Sequence, residues 1–233
     1  KELIINNYQN PLSASSSFEE LKTLAEIANK HDLWVLSDDA YFEIRYSDED
    51  PKSIVNLPGM RQRTVILYTF SKKFAMTGWR IGASIGPVPV IKHMARFNVN
   101  DESCTNHFIQ HALASMFNEK VDYGKAILDT LTRRRDLCLE KLNSIDGINV
   151  PIPNSTFYLF PNVTEIMHRK GYKNLEKFRI DAMKSTGVSF CTREHFGSPN
   201  QNEEQKYIRL AYSGINREDI SMGLDRFITW INS

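Results

Sequence analysis

Four short segments of this chain combine residue types that could hold an anion or line a ligand crevice. The longest is Thr69-Phe70-Ser71-Lys72-Lys73-Phe74-Ala75-Met76-Thr77-Gly78-Trp79-Arg80-Ile81-Gly82. It sets two hydroxyls, Thr69 and Ser71, beside the primary amine of Lys72, with Arg80 eight residues further on. Hydroxyls and a guanidinium suit a phosphate group, which they grip through charge-assisted hydrogen bonds. A lysine at the C-terminal end of a parallel strand sits where α/β proteins bind their ligands. The plainer reading, a solvated Lys-Lys pair with a structural arginine, fits the spacing equally well.

The second segment, Ser37-Asp38-Asp39-Ala40-Tyr41, follows another strand and could send Asp38 and Tyr41 into one crevice. Paired aspartates more often cap a short helix. The third is Asn10-Pro11, a carboxamide in the loop after the first strand, or simply a turn. The fourth, Tyr207-Ile208-Arg209-Leu210-Ala211-Tyr212, embeds Arg209 in an apolar strand. A cation there needs a partner, because an unpaired buried charge is costly. An anionic ligand would be one such partner.

The elements that must carry these groups alternate through the first half of the chain. Leu3–Asn6, Trp34–Ser37, Thr64–Phe70 and Ile81–Ile85 read as strands, the last with glycine at both ends. Ser17 and Glu20 stand at capping-box spacing ahead of a helix over Phe18–Lys30 with Leu21, Leu24, Ala25 and Ala28 on one face. Apolar strands separated by helices predict a mostly parallel sheet covered on both faces. Helices are expected at Val90–Phe97 and Thr105–Phe117. A long one is expected over Val121–Ile145, with Leu131, Cys138, Leu142 and Ile145 in one stripe and Gly147 ending it. The order then changes to strand (Phe157–Phe160), helix (Leu175–Thr186), strand (Val188–Cys191) and strand (Tyr207–Tyr212). A final helix follows, capped by Asn216 and buried through Ile220, Leu224, Phe227 and Ile231. Residues 1–122 are therefore expected to be part of a large α/β domain, and residues 123–233 a smaller α+β domain linked through the long helix.

Taken together and in this order, the four segments resemble the class I/II aminotransferases, the pyridoxal-phosphate family with the aspartate aminotransferase fold (fold type I). Ser71-Lys72 through Gly82 is highly specific for that family's lysine region, and the Asn-Pro, Asp-x-x-Tyr and final Arg elements join it over the whole chain. The resemblance implies that Lys72 forms the Schiff base with the cofactor and then shuttles the α-proton. It implies that Asp38 pairs with the pyridine nitrogen, while Tyr41 and Asn10 bond the ring's phenolic oxygen. Thr69, Ser71 and Arg80 would grip the phosphate, Arg209 would take the substrate carboxylate, and Asn10 is implied to bind substrate as well. Lys73 is implied to be a neighbour only. Two departures stand out. Leu12-Ser13-Ala14 replaces the usual Thr-Gly, and Thr69 stands where serine is common.

Relatives carry well over a hundred residues ahead of the Asn-Pro element, including a glycine-rich phosphate loop and an aromatic that stacks on the ring. The opening Lys1-Glu2-Leu3-Ile4-Ile5-Asn6 also reads as starting within a buried strand. The chain is therefore expected to be a C-terminal portion of a homodimeric protein, and to hold cofactor poorly and turn over little by itself. The reaction implied is transfer of an amino group from an amino acid to a 2-oxo acid. β-Elimination on the same scaffold, or an aminotransferase-like effector domain of a transcription regulator, are the alternatives.

Composition narrows the field from the other side. The 233 residues carry 29 basic and 28 acidic side chains, so no global field draws the chain to nucleic acid or anionic membrane. No apolar run reaches the roughly 20 residues that span a bilayer. Three scattered cysteines suit neither a disulfide framework nor a zinc site, and a reducing, cytoplasmic setting is the default expectation. His107 and His111 lie one helical turn apart but lack a third ligand, so no metal is expected. Arg133-Arg134-Arg135 reads as a solvated helix face.

Overall fold

The computed structural model describes residues 1–47, 50–119 and 121–233. Its contacts divide the chain into two compact units: Lys1–Gln9 with Ala14–Leu128, and Asn10–Ser13 with Asp129–Ser233.

In the first unit, β1 (Glu2–Ile5), β2 (Trp34–Asp38), β3 (Thr64–Thr69) and β4 (Gly82–Ile85) form one sheet in that order. β1, β2 and β3 run parallel, whereas β4 is antiparallel to β3, so the sheet is mixed at its β4 side. The antiparallel return is short because only α2 (Phe70–Lys73) and a single 3-10 turn (Thr77–Trp79) connect the strands. Gly82 permits the pairing: a Cβ there would stand 2.6 Å from the Tyr68 carbonyl oxygen. Ile81, expected in the strand, lies just outside it, because Arg80 turns the chain through a left-handed φ of 52°.

Helix α1 (Phe18–Lys30) begins with the capping box expected of Ser17 and Glu20. Its Leu21, Ala25 and Ala28 are buried against Ile5, Val35, Ile54, Leu57 and Met60, with Leu24 packed at the margin. This core packs α1 against the sheet through Ile5 of β1 and Val35 of β2. Helices α3 (Val88–Asp101) and α4 (His107–Asn118) follow, each a residue or more off its expected ends. Ile109 and Leu113 of α4 are buried with Ile81 against Phe70, Phe74 and Met76, which anchors the segment carrying Lys72. α3 buries none of its residues, and Phe97 is 76% exposed.

Helix α5 (Lys125–Asn143) leads into the second unit, starting later and ending earlier than the apolar stripe indicates. Leu142 and Ile145 are nonetheless buried, the latter in a turn beyond the helix that precedes Gly147, at φ 80°. A three-stranded antiparallel sheet runs β5 (Tyr158–Leu159), β7 (Ile208–Ala211), β6 (Cys191–Thr192). The strand expected at 188–191 is moved to residues 191–192, since the Val188 amide is taken by the Thr186 hydroxyl at 3.0 Å as the preceding helix ends. Helix α6 (Thr164–Arg169) was not foreseen; the Asn162 side chain accepts the Thr164 amide at 2.9 Å and so starts it. Helix α7 (Leu175–Thr186) has its expected bounds and α8 (Arg217–Asn232) its expected buried face, each with an asparagine cap. Phe178 and Phe227 are fully buried and meet Trp230 at 5.3 and 6.1 Å between ring centroids.

Candidate active site

The ends of β2 and β3 set the first group of residues side by side. Asp38 closes β2 and lies opposite Leu67 of β3, two residues before Thr69. One oxygen of its carboxylate accepts the Ala40 amide at 3.2 Å, which turns the chain so that Tyr41 follows, buried. The Thr69 hydroxyl accepts the Ser71 amide at 3.2 Å and starts α2. The turn that results places the Lys72 amine 5.7 Å from the centre of the Tyr41 ring. The fold thus brings together a primary amine and a phenol ring at the C-terminal ends of neighbouring parallel strands, with a carboxylate and two hydroxyls in the same loops.

Arg80 is placed differently. Its guanidinium is exposed and donates to the Thr77 carbonyl at 2.9 Å, with no bond to Thr69 or Ser71. It lines an open cleft of about 690 Å³ together with Trp79, Asn98, Glu102, Thr105 and Asn106. Its backbone is nevertheless close to the hydroxyls, since Thr69 pairs with Gly82 and the Phe70 amide donates to the Ile81 carbonyl.

Lys73 faces other partners. It pairs with Glu43 at 3.4 Å, and Glu43 also accepts the Tyr68 hydroxyl at 3.3 Å. Burial and the Glu43 charge push the Tyr68 phenol well above its usual range. Asp39, the other half of the acidic pair, is buried and accepts the Ser37 hydroxyl at 2.9 Å. Burial raises its carboxyl to about 6 despite that bond, and the nearby Asp38 charge adds to the rise.

The second group lies wholly in the other unit. Arg209, on the central strand β7, donates from Nη1 to the Asn10 side-chain oxygen at 2.6 Å and from Nη2 towards the Cys191 sulfur at 3.7 Å. Its guanidinium carbon stands 4.2 Å from the Tyr158 ring centre and 4.7 Å from that of Phe196. Stacking of this kind suits the weakly hydrated guanidinium and holds its plane. Nε is buried without a hydrogen bond, and no carboxylate of the described residues pairs with this cation. Tyr158, Cys191 and Phe196 escaped the sequence reading because they lie far from Arg209 along the chain. The sheet register explains two of them: Cys191 is directly opposite Arg209, and Tyr158 pairs with Ala211, one diagonal step away.

Other signals resolve locally. His107 and His111 approach to 3.2 Å between Nε2 atoms, and no group of three metal-ligating side chains occurs among the described residues. Arg134, expected on a solvated face, donates to the Ser213 carbonyl at 2.5 Å and so ties α5 to the end of β7. The correction has a simple cause: arginine is long enough to reach an open strand end across the apolar stripe beneath it. No helix among the described residues is long and apolar enough to cross a membrane.

A sequence model of the family "Aminotransferase class I and II" matches residues 1–227. This chain belongs to the class I and II aminotransferases. The aspartate aminotransferase of Sulfolobus acidocaldarius is 32% identical over 232 residues, which is all of this chain and 56% of that protein. Aromatic-amino-acid aminotransferase 2 of Thermococcus litoralis is 32% identical over 216 residues, 91% of this chain and 53% of its own length. Among solved structures, the aromatic aminotransferase of Pyrococcus horikoshii superposes with a TM-score of 0.89 at 30% identity, covering all of this chain and 60% of that one. The chain therefore has the aminotransferase fold and spans somewhat over half the length of the relatives it matches.

Proposed function

We propose that the protein carrying this chain is a pyridoxal-phosphate-dependent aminotransferase acting on an amino acid and a 2-oxo acid. The observation that carries the reading is the Lys72 amine beside the Tyr41 ring, at strand ends that also present Asp38, Thr69 and Ser71. The chemistry of this set fits the cofactor. It offers an amine for the aldehyde, a carboxylate for the pyridine nitrogen, a phenol for the ring oxygen, and hydroxyls for the phosphate.

When bound, the cofactor supplies the aldehyde that receives the amino group and a ring that accepts the electrons of the α-carbon. Lys72 is assigned as the lysine that would hold the cofactor through its aldehyde, and its Nζ would also be the group that moves the α-proton. Asp38 would pair with the ring nitrogen. Tyr41 would donate its hydroxyl hydrogen bond to the ring oxygen. Thr69 and Ser71 would give hydroxyl donors to the phosphate, and Arg80 would join them in place of its bond to the Thr77 carbonyl. Arg209, flanked by Asn10, takes the substrate α-carboxylate in the paired geometry that a planar fork allows.

We assign residues 1–122 to the cofactor-binding domain and residues 123–233 to the smaller domain of a homodimer. The names of the relatives, aspartate and aromatic aminotransferases among them, support transamination over β-elimination or a regulatory role. The test has two arms. Borohydride reduction of the cofactor-loaded protein followed by peptide mapping is expected to label Lys72. Incubation with an amino acid and 2-oxoglutarate is expected to give glutamate and the matching oxo acid. Release of ammonia in place of glutamate would sink the aminotransferase reading.

A further inference from the structure

Two buried hydroxyls of the second unit, Ser13 and Thr156, have no part in the roles assigned above, yet they close a circuit of hydrogen bonds. The Ser13 hydroxyl donates to the Tyr158 carbonyl at 2.9 Å. A hydroxyl has one proton, so at the 2.6 Å contact between Ser13 and Thr156 the donor is Thr156. The Thr156 oxygen in turn accepts the Tyr158 amide at 3.2 Å. The ring therefore runs one way: Tyr158 amide to Thr156, Thr156 to Ser13, and Ser13 back to the Tyr158 carbonyl. Bonds arranged head to tail in this manner polarise one another, and burial sharpens the effect. Ser13 is 2% exposed and Thr156 is 0% exposed.

The circuit takes up backbone groups that β7 leaves alone. In an antiparallel pair successive residues bond to opposite sides. The Phe157 carbonyl accepts the Tyr212 amide at 3.2 Å, so the amide and carbonyl of Tyr158 face outward, where the two hydroxyls meet them. The backbone is strained to achieve this. Ser13 has φ 57° and Thr156 has φ 63°, values that L residues and above all β-branched ones avoid. At Ser13 the resemblance to the family leads one to expect glycine, which would take that φ without strain but bring no hydroxyl. Strained residues held by surrounding bonds cluster at functional sites.

What the circuit holds is the support of Arg209. Tyr158 lies against the guanidinium, and Ser13 is three residues from Asn10, whose side chain accepts from Nη1. The Ser13 carbonyl also accepts the Asn154 amide at 3.2 Å, fastening the same two strands of chain together. We propose that Ser13 and Thr156 are positioning residues that fix the plane of the Arg209 fork, and through it the affinity for a carboxylate. The inference rests on Arg209 being the carboxylate-binding group.

The experiment follows the Arg209 Nε–H resonance in the whole protein carrying isotope-labelled arginine, assigned by its loss in Arg209→Lys. Pyruvate is the probe and pyruvamide the uncharged control. Pyruvate alone is expected to move the wild-type resonance. Ser13→Ala and Thr156→Val are each expected to broaden it and to weaken pyruvate binding roughly tenfold, the worth of one well-made buried hydrogen bond. Thr156→Ser keeps the hydroxyl and is expected to stay within about twofold of wild type. Ser13→Gly relaxes the backbone without restoring the ring, so it should match Ser13→Ala. A wild-type resonance blind to pyruvate would overturn the assignment of Arg209 and the inference with it. A responsive wild type with Ser13→Ala unbroadened and equally tight would overturn the positioning role alone. Ser13→Ala carries this decision even if Thr156→Val fails to fold.

Discussion

The two units handle their key arginines in opposite ways. Arg209 packs against two aromatic rings, is bonded to Asn10 and is set against Cys191, contacts that restrict the orientation of its fork. Arg80 is exposed at a left-handed turn and donates to a carbonyl only three residues back in sequence. The first arrangement draws its contacts from three separate stretches of chain, the second from its own loop. Long-range contacts make a rigid, preorganised group, which keeps the ordering cost of binding low. A group held only by its own loop exchanges partners at little cost. On the roles proposed above, the carboxylate site would be built by the fold, while the phosphate site would need Arg80 to leave its own loop for Thr69 and Ser71.

The most severe way to break this comparison is to remove the amine proposed to carry the chemistry of the first unit. Lys72→Ala is expected to lower turnover at least 10²–10⁴-fold, the usual contribution of a positioned proton-transfer group, and to abolish the borohydride label. Asp38→Asn is expected to leave cofactor bound while slowing α-proton removal, because the amide cannot hold a proton on the ring nitrogen as a carboxylate does. A substrate deuterium isotope effect that grows in Asp38→Asn would agree; near-normal turnover would remove Asp38 from the ring.

The second prediction concerns the buried neighbour of Asp38. The Asp39 carboxyl lies at about 6 against an ordinary 3.8 because burial disfavours its charge. With the folded value raised above the unfolded one, its stabilising contribution is fully present below about pH 4 and is lost as pH rises through 6. That rise corresponds to roughly 3 kcal/mol. Asp39→Asn keeps an acceptor for the Ser37 hydroxyl but cannot ionise. The difference in unfolding free energy between Asp39→Asn and wild type should therefore favour the variant increasingly from pH 4 to pH 7. A difference that stays flat over this range would show that Asp39 ionises as freely in the folded protein as in the unfolded one.

How much of this the sequence discloses depends on whether the partners are local. Lys72, Asp38, Tyr41, Thr69 and Ser71 lie at the ends of strands whose apolar runs are plain to read, and the fold brings Lys72 and Tyr41 together as neighbours. The capping residues Ser17 and Asn216 were legible because a cap and its amide are three residues apart. β4 was legible as a strand but not as antiparallel, since direction depends on how tightly Phe70–Ile81 turns, and that rests on the left-handed Arg80. The surroundings of Arg209 were hidden for a different reason. Tyr158, Cys191 and Phe196 reach it through sheet register and loop closure, which no spacing along the chain records.

The third prediction sharpens the contrast between the arginines. Arg209→Lys retains the charge but loses the planar fork and its stacking between Tyr158 and Phe196. A charge-assisted bond contributes about 1.5–3 kcal/mol, so kcat/KM for amino acids should fall about 10- to 100-fold while cofactor affinity is unchanged. Arg80→Lys should show the reverse pattern, with cofactor affinity falling and the substrate response of the loaded protein retained. Equal loss of cofactor in both variants would mean that Arg209 is structural and that the two units do not divide the work in this way.

The smallest effect is expected one residue from the largest. Lys73 adjoins Lys72 in sequence, but its amine is directed to Glu43 at 3.4 Å, and the two side chains are 22% and 32% exposed. An ion pair so open to water is screened and contributes about 0–1 kcal/mol. Lys73→Gln should therefore unfold within about 1 kcal/mol of wild type, retain the borohydride label on Lys72, and turn over at near-normal rate. Glu43→Gln should behave alike, because it removes the same pair from the other side while still accepting the Tyr68 hydroxyl. The two adjacent lysines thus form an internal control: identical charge, consecutive positions, and opposite environments set by one turn of α2. Loss of the label in Lys73→Gln with its retention in Lys72→Ala would show that the amine beside the Tyr41 ring is not the reactive one, and the assignment of the first unit would have to be rebuilt around the Glu43 side of the turn.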